Sequence, residues 1–183
     1  MKAKTHQSSG PEPNQVSTDR RFMKMALRQS QLALEMKQMP FGAVVVGVKG
    51  EPLGEGHNRV QIDLDPTAHG EISAIRSAWA NAGDWRSLIG STIYSSCEPC
   101  LLCTWVITQM GARRVVFAAR GSDVPTYRPL LGKDLKGAVT WLNAQRDWTH
   151  LEVVGDFMRE EAVKQLRSFS WKDEYSSKPK RKD

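Results

Sequence analysis

Cys100 and Cys103 stand three residues apart in Cys97-Glu98-Pro99-Cys100-Leu101-Leu102-Cys103, and far upstream His69 and Glu71 stand two apart in Thr67-Ala68-His69-Gly70-Glu71. If His69 and the two cysteines share one metal ion, the fold must bring two distant segments together, which restricts it more than any other feature. Two thiolates and an imidazole are a ligand set for zinc, and three protein ligands leave a fourth tetrahedral corner for water. Pro99 fits the first turn of a helix, where its missing N–H costs nothing. Cys100 and Cys103 then share one face of that turn, and the positive end of the helix favours both sulfurs as thiolates. Glu71 points away from His69 on a helix, so it is a poor fourth ligand and a good neighbour for the bound water, placed to move its proton. A C-x-x-C pair alone also fits a structural zinc or a redox couple. A disulfide scaffold is excluded, because all three cysteines fall within seven residues. A cluster on Cys97, Cys100 and Cys103 lacks a nearby fourth ligand. Cys97 reads as a small buried neighbour of the site, and His57 as a satisfied or pocket-lining histidine.

The chain has 183 residues, enough for one domain with a substantial core. No apolar run is long enough to span a bilayer, so no membrane association is expected. The polar start, with Pro11 and Pro13, lacks the apolar core of an export signal. Reduced cysteines at metal-ligand spacing fit a cytoplasmic protein. The formal net charge is +6, of which residues 1–18 carry +1 and residues 171–183 carry +2, so the domain body is only modestly basic. The tail Lys178-Pro179-Lys180-Arg181-Lys182 reads as a solvated terminus that can also touch nucleic acid.

Residues 1–18 read as a disordered polar segment, 19–169 as the domain, and 170–183 as a polar basic tail. Thr18 or Asp19 as a cap predicts a helix over 19–37, with Phe22, Met25, Ala26, Gln29, Leu32, Ala33 and Met36 on one side. The β-branched run 43–48 predicts a strand buried on both faces, and residues 53–58 its hairpin partner. A helix carries His69 and Glu71. A strand over 91–95 leads into the cysteine loop, and a helix over 98–110 stops at Gly111. A fourth strand spans 113–119, a short helix 138–146 and a fifth strand 150–154. Asp156 is the expected cap of a last helix that runs to Phe169. This order implies an α/β fold with three α/β/α layers and a five-stranded mixed sheet.

His-x-Glu followed by Pro-Cys-x-x-Cys resembles the signature of zinc-dependent base deaminases. Over residues 20–168 the chain resembles the cytidine and deoxycytidylate deaminase superfamily, with its cytidine deaminase-like fold. Asp65-Pro66-Thr67-Ala68-His69 and Ser96-Cys97-Glu98-Pro99-Cys100 look like bacterial guanine deaminases. Gly54-Glu55-Gly56-His57-Asn58-Arg59 is similar also to tRNA-specific adenosine deaminases. Gly70 looks like the fungal cytosine deaminases, and Pro40-Phe41-Gly42-Ala43 matches the strand entrance of this branch. The resemblance implies one zinc per chain and hydrolytic loss of ammonia from an amino-substituted heteroaromatic ring, a hydrolase acting on a C–N bond of a cyclic amidine. It gives Glu71 the catalytic proton shuttle, Asn58 a hold on the base or its sugar, and Phe41 and His57 places in the pocket wall. It also implies a homodimer.

The segment Gly121-Ser122-Asp123-Val124-Pro125-Thr126-Tyr127-Arg128-Pro129 departs from both templates. It lacks the Gly-Phe-Asp-Asp of guanine deaminases and the small-residue motif of the tRNA enzymes. Asp123, Tyr127 and Arg128 read as surface loop residues within reach of substrate. The leading expectation is therefore a deaminase of a nucleobase or nucleoside, guanine or a related amino-heterocycle. A tRNA-specific adenosine deaminase is the alternative, and a catalytically lapsed zinc-binding subunit the non-enzyme reading.

Overall fold

The structure, a computed structural model, describes residues 13–125, 135–144 and 150–171. Five strands form one mixed sheet: β1 (Gly42–Val46), β2 (Pro52–His57), β3 (Thr92–Cys97), β4 (Arg114–Ala119) and β5 (Glu152–Val154). Their order across the sheet is β2-β1-β3-β4-β5. β1 runs antiparallel to β2 and β3, while β3, β4 and β5 are parallel. The helices are α1 (Pro13–Glu35), the short α2 (Val60–Asp63), α3 (Gly70–Ala82), α4 (Leu101–Gln109), α5 (Leu135–Asn143) and α6 (Arg159–Ser168).

Strand alternation divides the core in two. Ala43, Val45, Ile93, Val115 and Phe117 face one side, where they meet Ile72, Ala74, Ile75 and Ala78 of α3, Ile107 of α4 and Leu135 and Val139 of α5. Val44, Val46, Tyr94, Val116 and Ala118 face the other side, against Phe22, Met23, Ala26 and Leu27 of α1 and Ala162 and Leu166 of α6. These are the three layers expected from the sequence. Helix α3 lies so close to β2 that a Cβ on Gly56 would enter its backbone at Ser73 and Ala74. Among the described residues no helix is long and apolar enough to cross a membrane.

Several boundaries move for identifiable reasons. Helix α1 begins at Pro13, so residues 13–18 are helical rather than irregular, and Asp19 is not its cap. Asp19 lies inside the helix, 2% exposed, where it accepts two bonds from the Arg114 guanidinium and one from the Tyr94 hydroxyl. Asp156 does not cap α6 either: it takes a left-handed φ of 63° and pairs with Arg120, and Met158 occupies the cap position. Helix α5 starts at Leu135, earlier than its sequence suggests, because Glu98 accepts the Leu135 N–H from across the fold at 2.7 Å. Gly111, in the left-handed region, follows α4 as expected. The terminal segments 1–12 and 172–183, which include the basic tail, lie outside the described residues.

Candidate active site

The sheet topology brings three chain ends to one place. Gly42 at the start of β1 pairs with His57 at the end of β2, and Ala43 pairs with Ser95 near the end of β3. This end is also the carboxyl end of the parallel strands, where open α/β sheets bind ligands. Helices α3 and α4 begin here. His69 caps α3 with extended ψ of 160°, and Cys100 caps α4 with ψ of 172°. Helix α4 therefore starts at Leu101, two residues later than Pro99 at its first position would require, and Pro99 precedes the cap. Glu71 stands in the first turn of α3 and Cys103 in that of α4, so two positive helix ends converge on the donors.

The donors form a compact triangle. Cys100 Sγ is 3.4 Å from His69 Nδ1, Cys103 Sγ is 3.5 Å from the same nitrogen, and the sulfurs are 3.6 Å apart. Tetrahedral zinc at its usual bond lengths places two sulfurs about 3.8 Å apart and sulfur and nitrogen about 3.5 Å apart. The triangle fits a zinc ion in size and in donor chemistry. Among the described residues these three are the cluster able to hold a metal, and neither His57 nor Cys97 joins it. Cys97 is buried and directs its thiol to the Arg120 carbonyl at 3.7 Å. None of the three cysteines is in a disulfide.

Charge is distributed unevenly over the triangle. The Cys103 hydrogen bond, with His69 assisting against burial, pushes the Cys100 thiol down to about 4. The Cys100 sulfur, followed by burial and Glu71, holds the Cys103 thiol well above its usual range. The contact with Cys100 raises the His69 imidazole. A coordinated cation deprotonates such a thiol outright.

Glu71 is 6% exposed. Burial and the Cys100 charge raise its carboxyl above the ordinary range. One oxygen, Oε2, lies 3.4 Å from Cys103 Sγ, and the other accepts from Ser95 Oγ at 3.1 Å. The glutamate is thus held against the metal donors by a buried hydroxyl. Sequence reasoning missed Ser95, although a hydroxyl in a wholly buried strand end beside the cysteine loop is a visible signal. Asp65 is a second such residue: its Oδ1 accepts from both the Thr67 N–H and its hydroxyl, and its Oδ2 from Arg76. The Thr67 hydrogen bonds, then Arg76, bring its pKa down to about 2. This turn aims the residues that lead into His69. Glu98 is a third, accepting from the N–H groups of Gly121 and Leu135 at 2.8 and 2.7 Å.

The remaining sequence candidates separate. Asn58 is 1% exposed, and its N–H donates to the Phe41 carbonyl. The next residue, Arg59, donates to Ala68 beside His69, so Asn58 sits at the edge of the site. Its side-chain Nδ2 is buried with no partner among the described residues. Phe41 brings its backbone to the site: a Cβ on Gly70 would lie 2.8 Å from the Phe41 carbonyl oxygen. Its ring packs in the α1/α6 layer, 6.2 Å from the ring of Trp171. His57 turns toward α1, with Nδ1 3.2 Å from Gln29 Oε1, and burial followed by Arg59 lowers its pKa. Asp123 is engaged by the Arg159 guanidinium. Tyr127 and Arg128 lie outside the described residues.

The geometry agrees with the comparisons to known proteins. Residues 16–119 match the family defined by the cytidine and deoxycytidylate deaminase zinc-binding region. The tRNA-specific adenosine deaminase of Buchnera aphidicola subsp. Schizaphis graminum is 32% identical over 151 residues, covering 82% of this chain and 93% of that protein. A structure from studies of A-to-I editing by tRNA:A34 deaminases at the wobble position superposes with a TM-score of 0.66 at 28% identity, over 80% of this chain and 99% of the other. Guanine deaminase from Bacillus subtilis superposes with a TM-score of 0.53 at 29% identity, over 72% and 98%. The chain belongs to the cytidine and deoxycytidylate deaminase family of zinc-binding proteins and is a hydrolytic deaminase.

Proposed function

We propose that this deaminase acts on a free amino-substituted nucleobase or nucleoside, with guanine or a related heterocycle as its substrate class. The observation that carries this reading is the orphaned amide of Asn58, a buried donor next to Arg59, whose N–H ties to the Ala68 carbonyl beside His69. A buried polar group without a partner is costly, so a ring carbonyl or ring nitrogen supplied by the substrate is its natural acceptor.

His69, Cys100 and Cys103 would hold the zinc. When bound, zinc supplies Lewis acidity that makes water a nucleophile at neutral pH. Glu71 would take one proton from water and deliver it to a ring nitrogen, then move the proton of the newly added hydroxyl to the amine, so that the C–N bond breaks, ammonia leaves and a carbonyl replaces it. Burial of Glu71 suits this duty, because a carboxyl raised above its ordinary range is a better proton acceptor than a free one. Ser95 fixes the carboxylate plane, and Asn58 orients the ring.

The test is ammonia release from zinc-loaded protein over a panel of free bases and nucleosides. Turnover of at least one is expected, with Glu71→Gln inactive and still metal-bound. No turnover of any member would refute the reading. The likeness to tRNA-specific adenosine deaminases supports a second substrate, adenosine in tRNA, and inosine appearing in tRNA without turnover of any free compound would establish it instead.

A homodimer and a cytoplasmic location are part of the same proposal. Trp79 of α3 and Leu101 and Leu102 of α4 are 51%, 49% and 39% exposed, an apolar surface suited to a second copy. Light scattering after gel filtration should give twice the chain mass, and a Trp79→Glu/Leu101→Glu variant should run as a monomer.

A further inference from the structure

Helix α1 carries a charge pattern that deamination does not use. Arg20, Arg21, Lys24 and Arg28 are all exposed. At about 100° per residue they fall within roughly a quarter-turn arc, and they extend along about 12 Å of the helix. Like charges four residues apart on a helix repel by a few tenths of a kcal/mol each. Here Arg20–Lys24 and Lys24–Arg28 are both such pairs, and none of the four makes an ion pair with a described carboxylate. The acids of α1 do not offset them: Asp19 is buried under Arg114, and Glu35 lies beyond the stripe. Helix α6 packs beside α1, tied to it by Gln165, which donates to the Leu27 carbonyl. Arg20 and Arg167 line one open groove of about 1070 Å³, but its α6 side also carries Glu160 and Glu161, so the cationic row is confined to α1.

We propose that this face binds the phosphate backbone of RNA. The opposite face of α1, with Phe22, Met23, Ala26 and Leu27, is spent in the core, so the helix has no apolar side to insert into a lipid surface. What it offers is a row of cations on a rigid support, the arrangement that replaces counterions along a phosphate chain. RNA is also the polyanion whose own bases belong to the class that this enzyme's chemistry addresses. The stripe lies on the sheet face away from α3 and α4, so bound RNA and a small substrate do not compete for the donors of the metal triangle. The inference rests on the deaminase reading but not on which base is the substrate.

The test is fluorescence anisotropy of the full-length protein with a labelled RNA stem-loop across a salt series. Arg20→Gln/Lys24→Gln/Arg28→Gln should weaken binding at least tenfold and flatten the slope of log K against log salt by about 2 to 3. Ammonia release from a free base should be unchanged, which separates failure of this inference from failure of the substrate reading. Arg20→Lys/Arg28→Lys should keep both affinity and slope. Lysine acetylation of the wild-type protein needs no variant: RNA should protect Lys24 and leave Lys136 labelled. An unchanged slope in the triple variant, Lys24 labelled equally with RNA present, or binding lost only when Lys178, Lys180, Arg181 and Lys182 are replaced would each overturn the proposal. So would binding to phosphatidylserine vesicles with none to RNA.

Discussion

Replacing Ser95 with alanine isolates the contribution of one hydrogen bond to proton transfer. The Ser95 hydroxyl donates to Glu71 Oε1 at 3.1 Å, and both side chains are buried, so water does not readily take its place. A hydrogen bond to a charged group is worth about 1.5–3 kcal/mol. Each 1.36 kcal/mol lost from transition-state stabilisation is tenfold in rate, so kcat should fall roughly 10- to 100-fold. KM should stay within about threefold, because Ser95 orients the acid and not the substrate. The bond favours the ionised carboxylate, whose pKa burial and the Cys100 charge already raise. Its loss raises that pKa further, and the acidic limb of the kcat/KM profile should move to higher pH. Zinc content should remain one per chain, since Ser95 touches no donor of the triangle, and Ser95→Thr should recover much of the rate. Steady-state ammonia release over a pH series, with metal content measured on the same sample, reads all of these. A kcat within twofold of wild type, or a loss of metal with the loss of rate, would refute the positioning role.

Two further outcomes follow from contacts elsewhere. Burial raises the Asp19 carboxyl, but the hydrogen bonds from Arg114, Tyr94 and Gln15 outweigh it and the net shift is downward. Its stabilisation is therefore complete above the ordinary carboxylate pKa and is lost as pH falls through the lowered folded value; Asp19→Asn should cost about 3 kcal/mol at neutral pH and flatten the acid limb of a thermal-stability profile. Gly70→Ala would press a methyl to 2.8 Å from the Phe41 carbonyl oxygen, so calorimetry should show a loss of about 1–3 kcal/mol, with any activity change confined to the β1 entrance and zinc retained.

Much of this was legible in the chain. The continuous apolar, β-branched runs of β1 and β4 announced a sheet covered on both faces, and the spacing of His69, Glu71, Cys100 and Cys103 announced a shared centre at one end of it. Both readings rest on local periodicity and on donor chemistry, which a sequence displays directly. What stayed hidden depends on partners distant in the chain. Asp19 looks like a helix cap until Arg114 and Tyr94 are brought beside it. The start of α5 is set by Glu98, whose carboxylate also secures Gly121. Ser95 is an ordinary strand serine until β3 is laid under α3 and its hydroxyl meets Glu71. Alternation along β2 turns the His57 ring toward α1, and the Phe41 ring, just ahead of β1, packs with Trp171 in the α1/α6 layer, which a motif alone does not reveal.

The account depends most on the claim that His69, Cys100 and Cys103 jointly hold zinc beside Glu71. Elemental analysis of the purified wild-type protein and of Cys103→Ser decides it. One zinc per chain is expected in the wild type and less than a tenth of that in the variant. Wild-type protein without stoichiometric metal, or a variant that keeps its full complement, would contradict it.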